Sequence, residues 1–114
     1  RSQSKDTFPG FWTLSVTGHV VFGETYLRAA RRELFEELGI KPDLKFIKKI
    51  LLYLPSETEF CSIYETITPI GQISHDSDEI TTTLWVILSQ MPVFVKKNAV
   101  TPDALQILLT LKYL

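Results

Sequence analysis

Three glutamates, Glu33, Glu36 and Glu37, stand at i, i+3 and i+4 in a stretch whose apolar residues recur at helical spacing. On a helix, residues so spaced leave from neighbouring positions on one side. Like charges this close repel by roughly a few tenths of a kcal/mol per pair, and by more at the edge of a core, where the dielectric is lower. A divalent cation removes that penalty. Hard oxygen donors that leave room for water and phosphate suit Mg²⁺, and Mn²⁺ accepts the same set. Taken alone, an E-x-x-E-E run is more often a solvated helix face than a metal site. The residues around it decide the matter.

From Gly18 to Ile40 the chain reads GHVVFGETYLRAARRELFEELGI. Gly18, Glu24, Arg32, Glu33, Leu34, Glu36, Glu37, Gly39 and Ile40 fall on every fixed position of the pattern G-x5-E-x7-R-E-U-x-E-E-x-G-U, with U a large apolar residue. At ordinary residue usage, a chance match in a chain of this size has a probability on the order of one in ten million. The segment resembles the Nudix box. The resemblance implies an α/β fold, the Nudix α/β/α sandwich around a mixed sheet, and a loop–helix–loop metal site. It also implies roles. Glu33 and Glu37 become the principal metal ligands and Glu36 a further ligand, while Gly18 lets the backbone approach the metal. Arg32 and Glu24 form an ion pair that orients the ligand helix. The activity implied is Mg²⁺-dependent hydrolysis of a diphosphate linkage in a nucleoside-diphosphate-linked or related small molecule. A catalytic base is expected outside the box; Glu79, in the acidic run Asp76-Ser77-Asp78-Glu79, is the first choice and Glu59 the second.

The stretch FPGFWTLSVTGH, residues 8–19, together with Asp78-Glu79 and Trp85, resembles isopentenyl-diphosphate isomerases, which share the Nudix fold. One departure bears on mechanism. The isomerases carry a catalytic cysteine immediately before Gly-His, and this chain has Thr17 there. A threonine hydroxyl titrates far outside the range in which it could move protons on and off carbon. Cys61 lies in an expected strand and is read as a small core residue. His19 is read as a strand-end hydrogen-bonding histidine, with metal ligation as the role the isomerase resemblance would give it. An isomerase-like enzyme and a non-catalytic nucleotide-binding module therefore stand as alternatives to the hydrolase.

The elements that must position these residues follow from the pattern. Phe11–Val21 is rich in aromatic and β-branched residues and predicts one or two short strands. Thr25 can cap a helix whose core face is Leu27, Ala30, Leu34 and Leu38, ended by Gly39 and Pro42. Residues 44–54 and 59–68, joined by Pro55-Ser56-Glu57, predict a β-hairpin. Ile80–Leu88 predicts another strand, and Pro102 at a first helical position predicts a closing helix over 103–113. Phe11, Trp12, Tyr53 and Phe60 could stack on a base, but strand aromatics more often pack in a core.

Bulk properties exclude some classes. The 114 residues, with no repeat or linker, are read as one domain, 1–114, with the box at 18–40. A formal net charge of −1 gives no global field toward nucleic acid or an anionic membrane, so no specific nucleic-acid partner is expected. No apolar run is long enough to span a bilayer. One cysteine cannot form an internal disulfide, which fits a cytoplasmic protein. The chain opens at Arg1, and residues 1–6 resemble the end of a family strand and its following loop. A leading strand is thus expected to lie outside this chain, its place at the sheet edge taken by a rearranged segment or by a second copy in a homodimer.

Overall fold

The computed structural model describes residues 1, 8–67, 73–74, 80 and 82–114. Its first element is α1, Tyr26–Leu38. Thr25 is extended at φ −86° and ψ 163°, and its Oγ1 accepts a hydrogen bond from the Arg28 N–H at 3.1 Å, satisfying one of the orphan donors of the first turn. Gly39 ends the helix in the left-handed region at φ 72°, donating its N–H to the Phe35 carbonyl at 2.9 Å. A side chain there would be strained and would also sit 2.9 Å from Ser74 Oγ. The buried face comprises Ala29, Leu34 and Leu38. Ala29 replaces the expected Ala30, which is only half-buried like Leu27.

The hairpin forms where the alternation places it: β1, Lys45–Tyr53, pairs antiparallel with β2, Thr58–Glu65. A register shift between Phe46 and Lys48 lets Ile47 as well as Ile50 and Leu54 pack toward the core. Leu52 and Ile63 from the hairpin and Ile107 from α3, Pro102–Thr110, form the buried centre of this core. A second cluster of Leu34, Leu38 and Ile40 lies under α1, with Val16, Leu44, Ile73 and Ile80 against it. The opposite face of the hairpin is exposed at Leu51, Tyr53 and Phe60, so Tyr53 and Phe60 are not the core aromatics expected of strand positions.

Two expectations fail, and for a physical reason. Segment 11–21 is not a regular strand. Among the described residues its ladder contact is an isolated parallel bridge between Trp12 and Val100, with Trp12 N–H donating to Ala99 and Thr101 N–H to Trp12. Residues 82–87 are likewise not a strand, and Leu88–Gln90 turns into a 3₁₀ helix. A β-rich sequence makes a strand only where a neighbouring backbone pairs with it, and among the described residues none does so along these two segments beyond the Trp12 bridge. Met91–Lys97 forms a helix, α2, with Pro92 in its first turn and Lys96 and Lys97 in its last, in a segment for which the sequence pattern named no element. The closing helix starts at Pro102 but stops at Thr110. Its end is closed by Tyr113 N–H on Leu108 and Lys112 N–H on Leu109, with Lys112 at φ 64°. Sheet and helices together make the α/β class, with antiparallel and parallel pairing both present. Among the described residues no helix is long and apolar enough to cross a membrane.

α3 is fixed to the hairpin by more than apolar contact. The Gln106 amide donates to the Tyr53 carbonyl at 2.7 Å and accepts from the Tyr53 N–H at 2.8 Å. Replacing Gln106 with alanine should cost about 1–2 kcal/mol, the scale of two solvent-accessible hydrogen bonds. A urea midpoint identical to wild type would show that water replaces the amide without loss.

Candidate functional site

The site is organised by one guanidinium. Thr25 starts α1 so that Arg32, two turns in, faces back toward the 18–24 segment. Arg32 Nε donates to Glu24 Oε2 at 2.8 Å and Nη2 to Glu24 Oε1 at 3.0 Å, a two-pronged ion pair. Nη2 also donates to the His19 carbonyl at 3.3 Å. Nη1 donates to Glu33 Oε1 at 2.8 Å and to Glu36 Oε2 at 3.3 Å. Glu24 accepts a further bond from the Val21 N–H at 3.1 Å, and its own N–H closes the turn onto the Val21 carbonyl. The Arg32 bond, followed by the Val21 N–H, holds the Glu24 carboxyl below its ordinary range. Glu24 first and Glu33 second raise the Arg32 guanidinium further above its already high value.

Gly18 lies directly against Glu33. A Cβ built on Gly18 would stand 2.7 Å from the Glu33 carboxyl carbon and 3.0 Å from Oε1, inside any real contact distance. The backbone at 18 thus reaches the carboxylate only because no side chain intervenes. Glu33 is largely shielded, at 21 % side-chain exposure, whereas Glu36 is open at 56 %. Glu37 is half-buried one residue on, with its Oε2 withdrawn from solvent. The residues present suit a divalent cation: carboxylate oxygens from one helix side, and a glycine cradle that keeps backbone within reach of one of them. Glu79 lies outside the described residues, as do His75 and the run 76–78.

A second donor group sits beside the first. His19 Nε2 lies 3.4 Å from Glu59 Oε2, and one ligand atom each from His19, Glu57 and Glu59 lie within 4.8 Å of one another. Among the described residues this trio is the group gathered that tightly; Glu33 and Glu36 are instead bridged by Arg32. His19 joins the two clusters, with its carbonyl on Arg32 and its ring on Glu59. Sequence reasoning singled out His19 and Glu59 separately and passed over Glu57. Glu57 lies in the turn just before β2, where no periodicity singles it out. Cys61 follows on β2, half-buried against the hairpin core. Burial first, then the charges of Glu59 and Asp103, push its thiol up, which keeps it neutral and poorly nucleophilic.

Comparison with known proteins bears on this arrangement. The family model of the NUDIX domain matches residues 1–109. The chain belongs to the NUDIX domain family. Similar proteins include an isopentenyl-diphosphate Delta-isomerase of Klebsiella pneumoniae, 35% identical over 98 residues that cover 80% of this chain and 53% of the relative. An uncharacterized Nudix hydrolase of Yersinia pestis is 32% identical over 111 residues, covering 95% of this chain and 58% of the relative. Nudix hydrolase 3 of Arabidopsis thaliana is 46% identical over 54 residues, 47% of this chain and 7% of the relative. The chain spans about half the length of the first two.

Two outcomes test the geometry. Because Glu24 titrates below its ordinary range when folded, its pairing stabilises the fold fully above about pH 4.3 and is lost as pH falls through the depressed value. The difference in thermal midpoint between wild type and Glu24→Gln should therefore shrink on acidification; a constant gap would show that the pair does not carry this stability. Gly18→Ala should push the Glu33 carboxylate aside and weaken Mn²⁺ binding by roughly tenfold or more, with a small change in unfolding midpoint. Unchanged Mn²⁺ affinity would mean that Glu33 needs no backbone beside it.

Proposed function

We propose that this chain is a metal-dependent Nudix hydrolase that cleaves a diphosphate linkage in a nucleoside-diphosphate-linked or related small molecule. The observation that carries the reading is the close seat of Glu33 against Gly18, with Arg32 locked on Glu24 behind it. Glu33 and Glu37 would hold Mg²⁺, or Mn²⁺ in its place, with Glu36 as a further ligand and the Gly18 backbone alongside. A bound divalent ion neutralises the diphosphate and acidifies water at neutral pH. The rest is work for the chain itself. The two-pronged Glu24–Arg32 pair holds the ligand helix against the 18–24 segment, so the carboxylates need not reorganise when substrate arrives. A carboxylate must take the proton from the attacking water; Glu79 is the first candidate and Glu59, beside His19, the second. We read residues 1–114 as one domain of a cytoplasmic protein that acts on a small molecule rather than on nucleic acid or membrane, and a homodimer as the way a free sheet edge is covered.

The second reading is an isomerase-like enzyme, and His19, Glu57 and Glu59 favour it as a compact donor group. Thr17 weighs against it. No thiol stands before Gly18, and the Cys61 thiol is neutral and packed in the hairpin core.

A panel of nucleoside triphosphates, nucleotide sugars, dinucleotides and prenyl diphosphates, assayed with Mg²⁺ or Mn²⁺, separates the readings. Metal-dependent release of phosphate or nucleoside monophosphate is expected from at least one class. Glu37→Gln should lower that rate by roughly a hundredfold or more with the fold intact, and a wild-type rate in this variant would remove Glu37 from the metal set. Solvent deuterium entering isopentenyl diphosphate, with nothing in the panel hydrolysed, would replace the hydrolase with the isomerase.

A further inference from the structure

Arg32 has five N–H donors, and the structure shows five hydrogen bonds from them. They divide into two jobs. Nε and Nη2 hold Glu24 and the His19 carbonyl, which anchors the arginine to the 18–24 segment. Nη1 alone turns the other way, to Glu33 Oε1 and Glu36 Oε2. Those two carboxylates are ones the reading above gives to the metal.

We propose that Arg32 Nη1 is an exchangeable stand-in for the metal ion. With no ion bound it neutralises Glu33 and Glu36, and on loading both carboxylates pass from Nη1 to the ion while Arg32 stays on Glu24. The inference rests on the metal reading of the helix glutamates. Electrostatics favour such an exchange. Like-charged carboxylates one helical turn apart repel unless a cation lies between them, and Nη1 is the cation placed there. A divalent ion brought to the same oxygens is repelled by that guanidinium, so the two compete for one negative site. The bonds are unequal in a useful order. The Glu36 contact is long at 3.3 Å, and Glu36 is more than half exposed, so it gives way first. The Glu33 contact is short and shielded, so it is released only to a ligand that binds more strongly. The anchor on Glu24 is short on both prongs and lies outside the exchange. Metal affinity is thereby set below what the carboxylates alone would give, and the ligand helix remains ordered through loading and release.

Replacement of Arg32 tests this, because an exchangeable cation and a purely structural arginine predict opposite signs. In Arg32→Gln, and in Arg32→Lys, which keeps the charge but cannot fork, the thermal midpoint measured in EDTA should fall. The Mn²⁺ dissociation constant, read by electron paramagnetic resonance of free Mn²⁺, should fall in Arg32→Gln by about tenfold, the scale of one competing charge-assisted hydrogen bond, while Arg32→Lys, which keeps the competing charge, stays nearer wild type. Lower stability of Arg32→Gln with unchanged or weaker Mn²⁺ binding would overturn the proposal. Should neither variant fold, wild-type arginine side-chain NMR decides: saturating Mg²⁺ should leave the Arg32 Nε–H signal in place while freeing Nη1 to rotate, and Nη signals unaltered by Mg²⁺ would overturn it. Wild type that binds no Mn²⁺, or binds it equally in Glu37→Gln, would overturn the metal reading and the exchange with it. Binding that is lost in Glu37→Gln and untouched in both Arg32 variants would overturn the exchange alone.

Discussion

Carboxylates crowded on one side of a helix repel one another, and in this chain Arg32 stands among them as the compensating positive group. Its guanidinium touches Glu24, Glu33 and Glu36 at once and reaches the His19 backbone. Such a fork is rigid and its donors are fixed in direction. The groups it binds therefore inherit its geometry. The turn at Val21–Glu24, the start of α1 and the position of His19 are all tied to one planar group, and through His19 the tie extends to Glu59 on the hairpin.

Two small cores serve that arrangement from either side. Leu34 and Leu38 bury the inner side of the helix that carries the glutamates, so the acidic side has one direction left in which to face. The hairpin core with Ile107 positions the hairpin, which carries Glu57 in its turn and Glu59 on β2. The 11–21 segment bridges the two. It is pinned to the start of α3 by Trp12 and by the Thr13–Thr101 hydroxyl pair at 3.0 Å, with Thr101 only 2 % exposed, and it delivers Gly18 and His19 to the site.

What could be read from the sequence divides by range. The caps of α1, its glycine stop and the hairpin are local, written in residues within a few positions of one another, and they form where the pattern puts them. The strands expected at 11–21 and 80–88 depend on a distant partner, which composition cannot report. α2 escaped notice because its seven residues carry too few turns for an apolar period, and because Pro92 reads as a breaker unless its place in the first turn is known. In the site, the Glu24–Arg32 spacing was legible from the family pattern alone. The Arg32 bonds to Glu33 and Glu36, and the meeting of His19 with Glu57 and Glu59, were not, since both depend on side-chain direction and on how the hairpin docks. Glu79, the first choice for a base, falls outside the described residues.

The Gln106 amide offers Tyr53 one donor and one acceptor, as the backbone of a neighbouring strand would. It thereby occupies the outward edge of β1 at the hairpin's turn end. An incoming strand from another molecule would find that position already paired and would first have to displace a side chain tethered to α3. Sheet edges are the usual starting points for strand-by-strand aggregation, and here the turn end of the hairpin is closed by an amide that costs the chain no additional strand.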